Sequence, residues 1–232
     1  MQVGDALSGG WDIYKRFWRH LIPIALVVYL AISLIALLLV AIAGFLGALV
    51  SILVGIVGVF LLQGALVEAV ADVRDGRADL SLGETLGRVW PRVPALAGAS
   101  ILAGIAILIG FVLLLVPGFY LLTIWSLITP VIVLERRRAM ESFGRSRELV
   151  RGYGWTVFGV ILITFVTLAI VGIVISIILT PLQDDVQNYV SDVISNTLFG
   201  PFVAAVWTEM YFRLRGTKEA EQPVAAGAAF TE

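Results

Sequence analysis

Three long stretches of this chain carry no charge, and basic or mixed segments separate them. They run from Leu21 to Val67, from Val93 to Leu134 and from Gly152 to Gln183. A membrane-crossing helix takes about 20 apolar residues. The first two runs, of 47 and 42 residues, therefore each have room for two helices and a turn. Gly44-Phe45-Leu46-Gly47 marks the first turn and predicts helices near 21–43 and 47–72. Pro117-Gly118 marks the second and predicts helices near 94–116 and 119–135, the latter kinked at Pro130. The third run fits one long span ending at Pro181. A sixth span is expected from about Ser195 to Phe212, interrupted by Gly200-Pro201 and continuing a helix that begins near Asp184. The predicted fold class is all-α: a polytopic membrane protein with six transmembrane helices and short interfacial amphipathic helices.

The segments between the runs have a helical period of their own. Leu7, Trp11, Tyr14 and Trp18 recur on one stripe, with Lys15, Arg16 and Arg19 largely off it. Aromatics on one face and cations on the other predict a helix lying in the headgroup plane. Ala41-Ile42-Ala43 would suit a signal cleavage site, but the apolar run before it exceeds the usual 7–15 residues, so an uncleaved anchor is favoured. Ser81-Leu82-Gly83-Glu84 matches a capping box. It predicts a helix start that presents Leu82, Leu86, Val89 and Trp90 to lipid.

Basic segment, entry aromatic, outward span, turn and inward span ending at a glutamate recur three times. The first unit contains YKRFWRHLIPIAL and ends at Glu68. The second contains LGRVWPRVPALAG and ends at Glu135, and the third contains LVRGYGWTVFGVI and ends at Glu209. The expected organisation is one membrane domain over 1–215, with units at about 5–73, 81–135 and 140–215 in a pseudo-threefold arrangement. A disordered cytoplasmic tail is expected over 216–232.

Charge adds a direction. All 16 Lys and Arg fall within residues 15–19, 74–92, 136–151 and 213–218, and the 181–196 connection carries only Asp184, Asp185 and Asp192 as charges. With an even number of spans, the four basic places share one side, and the positive-inside rule makes that side cytoplasmic. Both termini are then expected inside a plasma-membrane protein. Composition agrees: 59% of residues are hydrophobic and 14% charged, against about 25% charged in soluble domains, and mean hydropathy is +0.99. With no cysteine and one histidine, His20, thiolate chemistry and a multi-histidine metal site are excluded. No cofactor, metal site, catalytic residue or nucleic-acid partner is expected.

Two groups of residues stand out as candidates for structural or headgroup contact. Glu68, Glu135 and Glu209 end inward spans. They are expected to pair with nearby arginines and pin the helix ends, the rival reading being one ion or headgroup site built from three carboxylates. Arg136, Arg137, Arg138, Arg145, Arg147 and Arg151 fall within 16 residues beside an apolar face. They are expected to contact anionic membrane lipid, each basic residue near such a surface contributing about 1 kcal/mol. Ionisable residues are missing from the span centres, where coupled transporters place them. A non-enzymatic scaffold or accessory protein acting through a basic cytoplasmic face is therefore expected. The alternative is a transporter or channel for a lipid-like or neutral solute, and a lipid-modifying enzyme ranks third.

The stretch from Pro130 through Glu135, followed by Ser146, Leu149, Val150, Arg151, Gly152, Trp155, Phe158 and Gly159, resembles the signature of the membrane domain attached to some bacterial glycerophosphoryl diester phosphodiesterases. That domain also occurs as stand-alone proteins. The match covers about 30 residues, with only a general likeness in topology elsewhere. The resemblance implies a helical polytopic domain without catalytic residues, because the family's phosphodiesterase chemistry belongs to a separate soluble barrel. His20 offers no counterpart to that barrel's metal and acid–base apparatus.

Overall fold

The computed structural model describes residues 2–180 and 184–228, and among these there are helices and turns but no strand. In chain order the helices are α1 (Val3–Asp72), α2 (Leu82–Val89), α3 (Val93–Leu113), α4 (Leu115–Ile124), α5 (Ile128–Leu134), α6 (Ala139–Val150), α7 (Gly154–Leu179) and α8 (Asp184–Ala228). Single 3-10 turns at Val73–Asp75 and Trp90–Arg92 follow α1 and α2. Among the described residues four helical stretches are long and apolar enough to cross a membrane: Val3–Asp75, Leu82–Leu113, Leu115–Leu134 and Gly154–Leu179.

The first of these is not one rod. Helical geometry fails at Phe17 and at Gly44, whose φ of 52° and ψ of −123° suit only glycine. The chain reverses there and brings its two halves together: a Cβ on Gly47 would collide with the Leu39 carbonyl and one on Gly58 would meet Ile32 at 2.7 Å. This is the turn expected at 44–47. The N-terminal segment before Phe17 has a different partner from the one its stripe implies. It packs on α8: a Cβ on Gly10 would lie 2.8 Å from the Val206 backbone, and Trp11 and Tyr14 meet Phe202 edge-on. Similarly, Leu82 and Leu86 of α2 pack on the α1–α8 core and Val89 is buried among α3 and α5, which leaves Trp90 alone of that face exposed. Part of each face thus serves the protein core where lipid contact was expected, while Trp11, Trp18 and Trp90 stay exposed.

The second turn lies earlier than Pro117-Gly118. It falls at Leu114, which is extended, and α4 already begins at Leu115. Pro117 fits the first turn of a helix, where its missing N–H has no partner to lose. Gly118 serves close approach instead, its Cα lying 3.0 Å from where a Cβ of Gly110 would stand. The expected kink in helix 4 is a full break at Trp125–Leu127, just ahead of Pro130. α8 runs through Gly200-Pro201 without interruption and continues past residue 216 to Ala228, into the expected tail; residues 229–232 lie outside the described residues.

Three buried clusters form the core. One joins the segment before Phe17, α5, α6, α7 and α8 around Tyr211 and Leu149. A second joins the two halves of α1 to α8 around Leu21 and Leu66. A third joins α1 to α3 and α5 around Leu96 and Ile132. Beyond them the hairpin ends are apolar and exposed, as at Leu37, Phe45, Val112 and Ile177.

Candidate functional site

The break between α4 and α5 strands two backbone groups. In a continuous helix the Ile124 carbonyl would accept from residue 128 and the Leu127 N–H would donate to residue 123. Here Ile128 N–H donates to Trp125 instead. Ser146 of α6 supplies both missing partners: its hydroxyl donates to the Ile124 carbonyl at 2.8 Å and accepts from the Leu127 N–H at 3.2 Å. Phe143, one turn earlier, sits edge-on to Trp125 at 4.9 Å. The α6 helix is thus stitched to the broken α4–α5 stretch by a fully buried serine, since a buried unpaired amide or carbonyl is costly.

The same helix holds Glu135, the C-cap of α5. Arg145 Nε donates to both carboxylate oxygens at 3.0 and 3.1 Å, Arg137 Nε donates at 2.8 Å, and the Tyr211 hydroxyl of α8 donates at 3.1 Å. Burial raises the Glu135 carboxyl, but the bonds from Arg137 and Arg145 outweigh it, and the group titrates below its ordinary value. Burial lowers Arg145, but its bonds to Glu148 and Glu135 outweigh that and hold its pKa above the ordinary value. Arg136 follows at φ 57°, the left-handed residue that closes α5, a position usually given to glycine. At the other end of α6, Gly152 at φ 90° performs the same turn into α7.

Glu68 and Glu209 sit in separate nodes with partners of their own. Glu68 of α1 meets Arg88 of α2 at 3.3 Å. Glu209 of α8 meets Arg213 at 2.7 Å and Arg74 at 3.5 Å, and Arg74 also lies over the Phe212 ring. The stem of Glu209 rests on the N-terminal segment of α1, where a Cβ on Gly9 would be 2.9 Å away. The structure does not bring the three carboxylates together, and among the described residues no group of three or more acidic or histidine side chains is placed to hold a metal.

The remaining arginines divide in the same way. Arg137 and Arg145 are spent on Glu135. Arg138 is the N-cap of α6. Arg136 lines a small cleft of about 250 Å³ beside Glu68, Asp72 and Arg88. Arg147 and Arg151 line a larger groove of about 580 Å³, together with Tyr120, Ile124, Glu148 and three glycines. Sequence reasoning missed Tyr211, Gly10 and the bonding role of Ser146. Their partners are distant in the chain, and no local spacing announces them. No protein-family model matches this chain, nor does any curated protein or solved structure.

Proposed function

We propose that this chain is a non-enzymatic integral membrane protein of six spans, built from three two-helix units. It acts as a scaffold or accessory protein that contacts anionic lipid or partner proteins through a basic cytoplasmic face. The observation that carries the reading is the disposition of the three span-ending glutamates. Glu68 of the first unit is held by Arg88 of the second, Glu135 of the second by Arg145 of the third, and Glu209 of the third rests on Gly9 of the first. The first two carboxylates bind the amphipathic segment of the next unit, and Glu209, paired with Arg213 and Arg74, packs its stem on that of the first, closing a cycle of contacts. Such paired carboxylates secure helix ends. Each of the three buried clusters draws most of its residues from one unit, which supports the same division. The resemblance carried by Pro130–Glu135, Ser146, Gly152 and Trp155 belongs to this proposal.

The proposal includes a plasma-membrane location with both termini in the cytoplasm. Single cysteines in this cysteine-free chain test it, at Phe45, Ala78, Met140 and Gln183. An impermeant thiol reagent applied to intact cells is expected to label positions 45 and 183 and to spare 78 and 140. The reverse pattern, or labelling at 45 without 183, overturns the orientation or the span count.

A further inference from the structure

We propose that the groove between α4, α6 and the start of α7 holds one anionic phospholipid, with its phosphate between Arg147 and Arg151 and the upper part of an acyl chain along Tyr120 and Ile124. The proposal rests on the anionic-lipid reading above and narrows it to a single place. Arg147 of α6 and Arg151, the residue that caps its end, stand four residues apart and line the same groove. Both are exposed, and neither side chain has an ion pair or hydrogen bond among the described residues. Like charges at that spacing repel, and an anion between them relieves the repulsion. Arg145, two residues from Arg147, differs sharply: it is held by Glu135 and Glu148 and has no reach to spare. Glu148 also lines the groove, where it would oppose an anion, but Arg145 engages it at 3.0 Å and compensates its charge.

The shape fits an amphiphile better than a bare ion. A volume of about 580 Å³ lies in the range of roughly 300–1,000 Å³ that holds a small organic ligand. It exceeds what two arginines need for inorganic phosphate. Gly144, Gly152 and Gly154 leave one wall bare, because a Cβ on any of them would meet nothing within 4 Å. At the groove's edge the surface is apolar and aromatic: Tyr120, which lines it, and neighbouring Phe119 are exposed, and Trp155, next to Gly154, is 88% exposed. Tryptophan in that state belongs at a membrane–water boundary, where phosphate and acyl chain separate.

The test uses the full chain in detergent with mixed phosphatidylglycerol and phosphatidylcholine, reading retained lipid by native mass spectrometry. The wild type is expected to keep one phosphatidylglycerol in preference to phosphatidylcholine by at least roughly tenfold. Arg147→Gln with Arg151→Gln should abolish that preference. So should Gly144→Leu, which keeps every charge, fills the groove and puts a better helix former at an open position. Arg137→Gln, outside the groove, should retain it. Retention by either groove variant overturns the site while leaving a general lipid-binding face intact. A wild type without any preference overturns that broader reading as well. Soluble glycerol phosphate should not displace the lipid, and displacement at comparable concentration would make this a free-phosphate site, overturning the assignment to lipid.

Discussion

Ser81-Leu82-Gly83-Glu84-Thr85 in α2 and Ser142-Phe143-Gly144-Arg145-Ser146 in α6 share a spacing of serine, glycine and a second hydroxyl, and differ in the charge at the fourth place. In α2 that place is an acid. Glu84 folds back to accept from the Ser81 N–H at 2.8 Å and the Ser81 hydroxyl at 2.6 Å. These bonds lower its pKa. Thr85, buried like Ser146, donates to the Ser81 carbonyl of its own helix. In α6 the fourth place is a base, and Arg145 and Ser146 both reach across to α4 and α5. One segment thus completes itself, and the other completes its neighbour. The helix end beside α2 depends on Arg88, 58% exposed, whereas the one beside α6 depends on Arg145, 16% exposed. Carboxylates at matching positions are therefore unequal in what they stabilise.

Among the neutral substitutions, Glu135→Gln should show the largest effect. It leaves Arg145 partly buried without its main acceptor and lowers stability by roughly 3 kcal/mol, read as denaturant unfolding in detergent. Glu135→Lys beside Arg136–Arg138 should cost more. Combining Glu135→Gln with Arg145→Gln should recover part of the loss. A single-variant cost no greater than that of Glu68→Gln would erase the contrast between the two segments.

Ser146→Ala comes next, because it orphans the Ile124 carbonyl and the Leu127 N–H together and should cost about 1–3 kcal/mol. Thr85→Ala breaks only a bond within its own helix and should cost less than about 1 kcal/mol. Equal losses would mean that α6 is not holding the break closed.

Acid should sharpen the same contrast. The folded pKa of Glu135 is depressed, so its contribution is present above the ordinary carboxylate pKa and is lost as pH falls through the depressed value. Melting temperature measured from neutral to acid pH should fall more steeply in the wild type than in Glu135→Gln. Parallel curves would remove Glu135 from the acid response.

Glu68→Gln should have the smallest effect, within about 1 kcal/mol in the same unfolding assay, since its partner is solvated. A loss matching that of Glu135→Gln would make the nodes equivalent after all.

The charge-free runs by themselves determined that the chain is all-helical with long apolar helices. The requirement that a span exclude charge acts residue by residue and needs no knowledge of partners. The turn at Gly44 and the helix start at Ser81 were legible for a similar reason, since left-handed backbone and capping are local chemistry. Pro117-Gly118 misled because proline is as comfortable inside the first turn of a helix as in the turn before it. Only the tertiary structure decided that the stripe of Leu7, Trp11 and Tyr14 meets α8. An amphipathic pattern states that a face is apolar and leaves open whether lipid or protein covers it. The division of six neighbouring arginines into those held by Glu135 and those left facing a groove was likewise beyond the sequence. Arg145 and Arg147 differ by their direction around one helix, and the carboxylate that selects between them arrives from another helix.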